Sequence, residues 1–213
     1  MKTIILIVTF IFTLNLTAQT PYEKGMGNAF ELWEQGKNIE AIQMFERIAS
    51  VETDNWLPSY YAGLIEIIGS FTVKDEALLT TKLTRAKAFL DTSSSISEDN
   101  PEILVSYALL NTAYIAFDGQ KYGMTLSGEN IGIYNKAETI APNNPRVLLS
   151  KAEWDMGSAK FFGQSITPFC EDVDRAIVLF KEEKQTIPFY PYNGLDRAVE
   201  ISANCKKEIS PKE

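Results

Sequence analysis

Two kinds of reactive side chain stand out by type and spacing. Cys170 and Cys205 are the only thiols. In an oxidising compartment they could pair, closing a loop that stabilises by roughly 2–4 kcal/mol in the loop-entropy model. The competing reading is two separate buried thiols. Glu171, Asp172 and Asp174 bunch closely enough to suggest a calcium site. The run lacks the glycine and the terminal glutamate of a calcium loop, and it opens a helix, where acids favourably oppose the dipole. Gly25-Met26-Gly27-Asn28-Ala29-Phe30 half-matches a dinucleotide fingerprint, without the third glycine or a preceding strand. The chain has no histidine. That removes most zinc sites, Ser-His-Asp and Cys-His catalysis, and switching near neutral pH. No phosphate-binding loop or nucleophile elbow is present. A carboxylate pair of the glycosidase type stays open, since acids are plentiful and nothing singles out two of them. No catalytic residue, metal ligand or cofactor is assigned.

The elements that would position any site read as helices. Apolar residues recur at three- and four-residue spacing: Met26, Phe30 and Trp33 on one stripe, Ile39, Ile42, Phe45 and Ile48 on another. Strand alternation is nearly absent. A polar residue followed by proline opens several segments, at Thr20-Pro21, Asn100-Pro101, Asn144-Pro145 and Thr167-Pro168. These marks predict helices at about 22–35, 38–52, 56–70, 75–94, 101–117, 125–140, 145–157, 168–185 and 193–207. They group as four antiparallel pairs and a last helix. Short turns join the pairs. Longer connections lie within the later pairs, at 70–74, 118–123 and 157–164.

The first residues carry an address rather than structure. Lys2, an apolar run from Ile4 to Leu16 and the small Ala18 describe a secretory signal peptide over 1–19. The run is too short to span a bilayer. The chain is therefore expected to be exported, periplasmic or secreted, with no stable membrane insertion after cleavage. Losing Lys2 leaves 19 basic residues against 28 acidic ones, a net charge near −9. That balance argues against nucleic-acid partners, which are held largely through their phosphates, and against anionic lipid. The remaining expectations are one helical domain over 20–207 and a flexible tail over 208–213.

The helices repeat. Ala41, Ala86, Asn130 and Ala176 are each followed four positions on by Phe45, Leu90, Tyr134 and Phe180, at separations of 45, 44 and 46. A period of this size marks stacked supersecondary units. With Gly36, Gly63, Ala137, Pro142 and Pro188, these positions resemble the tetratricopeptide repeat. The whole looks like exported tetratricopeptide-like proteins of Bacteroidetes-type bacteria. The resemblance implies an all-α fold, antiparallel helix pairs stacked as a short, irregular solenoid with a C-terminal capping helix. Leu195, Ala198, Val199 and Ile201 would face inward from that cap.

The resemblance also implies a groove along the first helix of each pair. Among residues expected to be exposed there, Trp33, Tyr60, Arg146 and Glu153 are the partner-binding candidates, aromatic and arginine side chains being the usual interface anchors. Phe71, Tyr122, Phe161 and Phe162 are candidates on the edge where the intra-pair loops collect, although such rings more often fold back to fill gaps. The function implied is a non-catalytic interaction module for a protein or peptide partner in the cell envelope. The alternative is a small-ligand or glycan-binding accessory protein, and a more remote one is an enzyme with an unrecognised carboxylate site.

Overall fold

Polar caps set most of the helix starts. The Thr20 hydroxyl accepts from the Glu23 amide while the Glu23 carboxylate accepts from the Thr20 amide, a reciprocal box that starts α1 (Pro21–Glu34). A tight turn through Gly36, whose φ is +74°, leads to α2 (Asn38–Val51). α3 (Leu57–Ser70) follows, and Asp75 caps α4 (Glu76–Ile96). Asn100 caps α5 (Pro101–Phe117), Asp118 caps α6 (Gly119–Ile140) and Asn144 caps α7 (Pro145–Phe161). A 3₁₀ turn at Thr167–Phe169 precedes α8 (Cys170–Glu182), and α9 (Leu195–Ile209) closes the array. The structure is a computed structural model that describes residues 19–209. The predicted signal segment lies outside the described residues apart from its last position.

Each helix packs on the next: α1 on α2, α3 on α4, α5 on α6, α7 on α8, and α9 on α8. Contacts of α3 with α5 and of α5 with α7 add an inner row. The chain is therefore an all-α stack of antiparallel pairs with a C-terminal cap, as expected. The repeat has a plain physical basis. Ala41, Ala86, Asn130 and Ala176 are completely buried, and the bulky residue four positions on is buried in every unit. A small residue lets neighbouring helices approach, and the bulky one fills the layer beyond it. Asn130 departs from the small apolar type for a visible reason. Its side-chain amide donates to the Ala108 carbonyl at 3.1 Å and to the Thr112 hydroxyl at 3.1 Å, tying α6 to α5. Gly63 serves the same closeness in α3. A Cβ there would sit 3.2 Å from the Ala86 carbonyl oxygen and 3.3 Å from Leu90.

Several boundaries differ from the sequence expectation. The 118–123 connection is not a loop: Asp118 accepts from the amides of Gln120 and Lys121 and starts α6 at once. α7 runs on to Phe161, since Gly157 is tolerated within a helix. The Thr167-Pro168 start delivers only the 3₁₀ turn. α8 stops at Glu182, and residues 208–209 belong to α9 rather than to a tail. Val199 faces solvent on the cap, and Ser202 and Cys205 take the inward positions beside Ala198 and Ile201. Cys170 and Cys205 are bonded, with Cα atoms 5.9 Å apart, which resolves the open alternative and fastens α9 to the start of α8. Among the described residues no helix is long and apolar enough to cross a membrane.

Candidate functional site

The four predicted partner-binding residues do not form an exposed surface. Arg146 and Tyr60, expected in the open, are 8% and 5% exposed. Arg146 sits at the head of α7. Its Nε donates to Glu102 Oε1 at 2.9 Å, and its two terminal nitrogens donate to the Glu183 carboxylate at 2.7 and 2.6 Å. The Asn144 side-chain amide donates to the same Glu102 oxygen at 2.7 Å. The guanidinium also lies 6.0 Å from the Phe180 ring and 5.8 Å from the Tyr190 ring. Burial works against the arginine charge, but the bonds from Glu183 and Glu102 outweigh it and hold the group cationic. Glu102 is fully buried, and its Oε2 has no partner among the described residues. Burial pushes its carboxyl above the ordinary range, against the pull of Arg146 and Asn144. The side chain chosen as an interface anchor is thus a clamp joining α5, α7 and the end of α8.

Tyr60 packs edge-on against Trp56 at 5.2 Å and Tyr61 at 5.0 Å. Trp33 is half-buried beside Phe30 and Tyr61. Glu153, on the same helix as Arg146, accepts from Arg197 at 2.9 Å, a tie between α7 and α9. The burial has one cause that sequence reasoning missed. Residues 183–194, between α8 and α9, leave the last pair and cross the heads of the inner helices. Phe189 packs 5.7 Å from Tyr22 and 5.8 Å from Phe30, and its carbonyl accepts from the Tyr61 hydroxyl at 2.7 Å. Tyr190 lies 5.8 Å from Trp56. The expected groove is therefore covered by the chain itself. The sequence signal was Pro188-Phe189-Tyr190-Pro191-Tyr192, too aromatic for a solvated connection.

The opposite edge carries exposed aromatic side chains. The alternation of helices brings the ends of α3, α5 and α7 to one side. There Ser70, Phe71, Val73, Lys74, Ala113, Ala116 and Phe117 line a hollow of about 290 Å³ between the ends of α3 and α5. Five of these seven residues are apolar, but the surface exposed inside the hollow is more polar than apolar, with Ser70 and Lys74 among its walls. Among the described residues Lys74 makes no ion pair. Tyr122 and Lys121, in the first turn of α6, both bond the Glu76 carboxylate, and Tyr122 packs 5.0 Å from Tyr114. Hydrogen bonding to Glu76 raises the Tyr122 phenol above its usual range. Of the four edge candidates, then, Tyr122 folds back and is held. The other three do not fill gaps: Phe71 is 43%, Phe161 79% and Phe162 71% exposed. Met124 is also on this side and almost fully exposed. Phe161 and Phe162 sit at the end of α7, edge to face at 5.1 Å.

Architecture and edge together define a helical-pair array whose rim carries exposed aromatic rings and Lys74. No family model matches the sequence, and no curated protein matches it significantly. Among solved structures it is similar to the HusA haemophore from Porphyromonas gingivalis, with a TM-score of 0.78 at 21% identity. The match covers 91% of this chain and 96% of that one, so the whole arrangement of helices is shared.

Proposed function

We propose that this chain is an exported, non-enzymatic binder of a flat, apolar small ligand of the tetrapyrrole class, taken up on the rim between the ends of α3 and α5. This replaces the protein-groove reading, whose anchors Tyr60 and Arg146 are buried. The carrying observation is the hollow of about 290 Å³ with its exposed ring Phe71. A space of this size takes one edge of a macrocycle, and the exposed Phe71 ring extends the contact. The fold shared with a protein described as a haemophore supplies the ligand class. Lys74 stands where a propionate could be met.

Recognition would rest on the macrocycle rather than on iron: the chain has no histidine, both cysteines are tied in a disulfide, and neither a tyrosine nor a methionine lines the hollow. Titration with haem and with iron-free protoporphyrin IX, followed by tryptophan quenching, tests this. The two ligands are expected to bind within about tenfold of one another. A Phe71→Ser, Lys74→Glu variant should bind both at least about tenfold more weakly, the loss of roughly 1.4 kcal/mol or more. An unchanged affinity in the variant, or no binding by the wild type, would sink the reading. A protein partner on the same rim is the second reading, favoured by the exposed Phe161–Phe162 pair. Phe161→Ser with Phe162→Ser would then abolish capture of an envelope partner while leaving porphyrin affinity intact.

A further inference from the structure

The segment 183–194 does more than connect two helices. Tyr190 donates its amide to the Ile187 carbonyl at 3.2 Å, closing a turn with Pro188 and Phe189 at the corners. Phe189 has φ of +61°. Proline followed by a positive φ is the pattern of a type II turn, in which the second corner normally holds glycine or asparagine. A phenylalanine held there is strained, and such strain persists only where surrounding contacts over-determine it. Here the contacts are aromatic. The Phe189 ring lies 11° from parallel to Phe30 at 5.8 Å, edge-on to Tyr22 at 5.7 Å. Phe30 is itself 4.6 Å from Tyr61 and 6.2 Å from Trp33. The ring occupies an aromatic slot of α1 and α3 in the manner of a bound flat molecule. The carbonyl beside it takes the hydrogen bond of the Tyr61 hydroxyl at 2.7 Å. The Tyr22 hydroxyl has the Asn55 side chain as a polar neighbour, but among the described residues it is buried without a well-formed hydrogen bond.

The geometry points to a second binding site: the slot formed by Tyr22, Phe30, Trp33 and Tyr61 takes a neutral, flat aromatic ring bearing a carbonyl acceptor, and Phe189 is its displaceable internal occupant. Ring and carbonyl of the incoming molecule replace those of Phe189 one for one. Tyr61 keeps its acceptor, and the Tyr22 hydroxyl gains the chance of one. Departure of Phe189 also relaxes the turn. A charged ring is disfavoured, because the four slot side chains are uncharged, Glu52 lies near Tyr22, and Arg146 is already bound by Glu102 and Glu183. The slot lies at the opposite ends of the inner helices from the rim, so this site stands apart from the proposed porphyrin site.

The probe is prodan, a neutral naphthyl ketone whose emission shifts to the blue in apolar surroundings. Phe189→Gly removes the ring and places at +61° the residue that adopts it freely. It should bind prodan about tenfold more tightly than the wild type, because the competent state no longer has to be selected against the internal ring. The gain should survive Phe71→Ser, Lys74→Glu, which addresses the rim. In the intact wild-type protein, saturating prodan should speed amide hydrogen exchange within 184–193 while α3 stays protected. Equal prodan affinity in the wild type and Phe189→Gly would overturn the site. So would loss of the gain on rim substitution, or slower exchange in 184–193 on adding prodan. The exchange measurement decides the matter even if Phe189→Gly fails to fold.

Discussion

Arg146 and Glu102 show how a side chain chosen for interface chemistry becomes internal. The arginine is held by two carboxylates, and removing it would leave both Glu102 and the end of α8 uncompensated. Arg146→Ala is therefore expected to cost about 3–5 kcal/mol in urea unfolding, the usual result of breaking a buried pair. Glu102→Gln should cost far less, within about 1 kcal/mol, because the amide oxygen still accepts from Asn144 and Arg146 while its nitrogen replaces the unpartnered Oε2. The pH dependence separates them further. Glu102 is raised above its ordinary 4.5 in the fold, so its contribution is complete below that value and is lost as pH rises through the raised one. The wild type should accordingly lose stability relative to Glu102→Gln as pH climbs above about 4.5. A difference that grows in the opposite direction would contradict this assignment. Nothing local in the sequence distinguishes a solvent-facing arginine from Arg146, whose carboxylates lie 44 and 37 positions away.

The paired helices follow local rules far more closely. Caps at Thr20, Asn100 and Asn144 and the prolines after them were legible because each acts within three residues. Glycines separate the local from the tertiary contribution. At Gly132, in α6, a Cβ would meet nothing within 4 Å, so Gly132→Ala should stabilise by about 0.5–1 kcal/mol through helix propensity alone. Gly63→Ala has the same propensity gain, but its Cβ would press on a backbone carbonyl of α4 that cannot turn aside. It should destabilise by about 1–2 kcal/mol, shown by a lower urea midpoint. The same reasoning explains the missed start of α6. A glycine-rich stretch, 119–123, reads as loop until the Asp118 cap is seen to satisfy its first amides.

Two devices close the array at its C-terminal end: the Cys170–Cys205 bond and the crossing segment with its aromatic pair. The bond spans 35 residues, and in the loop-entropy model its loss costs about 3–4 kcal/mol. A Cys170→Ser, Cys205→Ser protein should show a melting temperature lowered accordingly, with hydrogen exchange rising first in α9, whose hold on α8 it removes. Retained protection of α9 would show that Ala198, Ile201 and Ser202 suffice to seat it. The crossing segment makes the array more than a series of neighbours. Phe189 accepts from Tyr61 of α3 across 128 positions and packs on Tyr22 and Phe30 of α1, so the segment after α8 is joined to the first two pairs although α8 is not adjacent to them.

Periodicity, caps and composition were enough to assign helices, their pairing and the repeat of small and bulky positions, because each depends on residues a few positions apart. The lack of histidine likewise limited the chemistry with no help from coordinates. Which surfaces stay open was another matter. Burial of Tyr60 and Arg146, and exposure of Phe71, Phe161 and Phe162, follow from where residues 183–194 travel and where the helix ends meet. Those placements are set by contacts between positions far apart in the chain, and no short-range pattern encodes them.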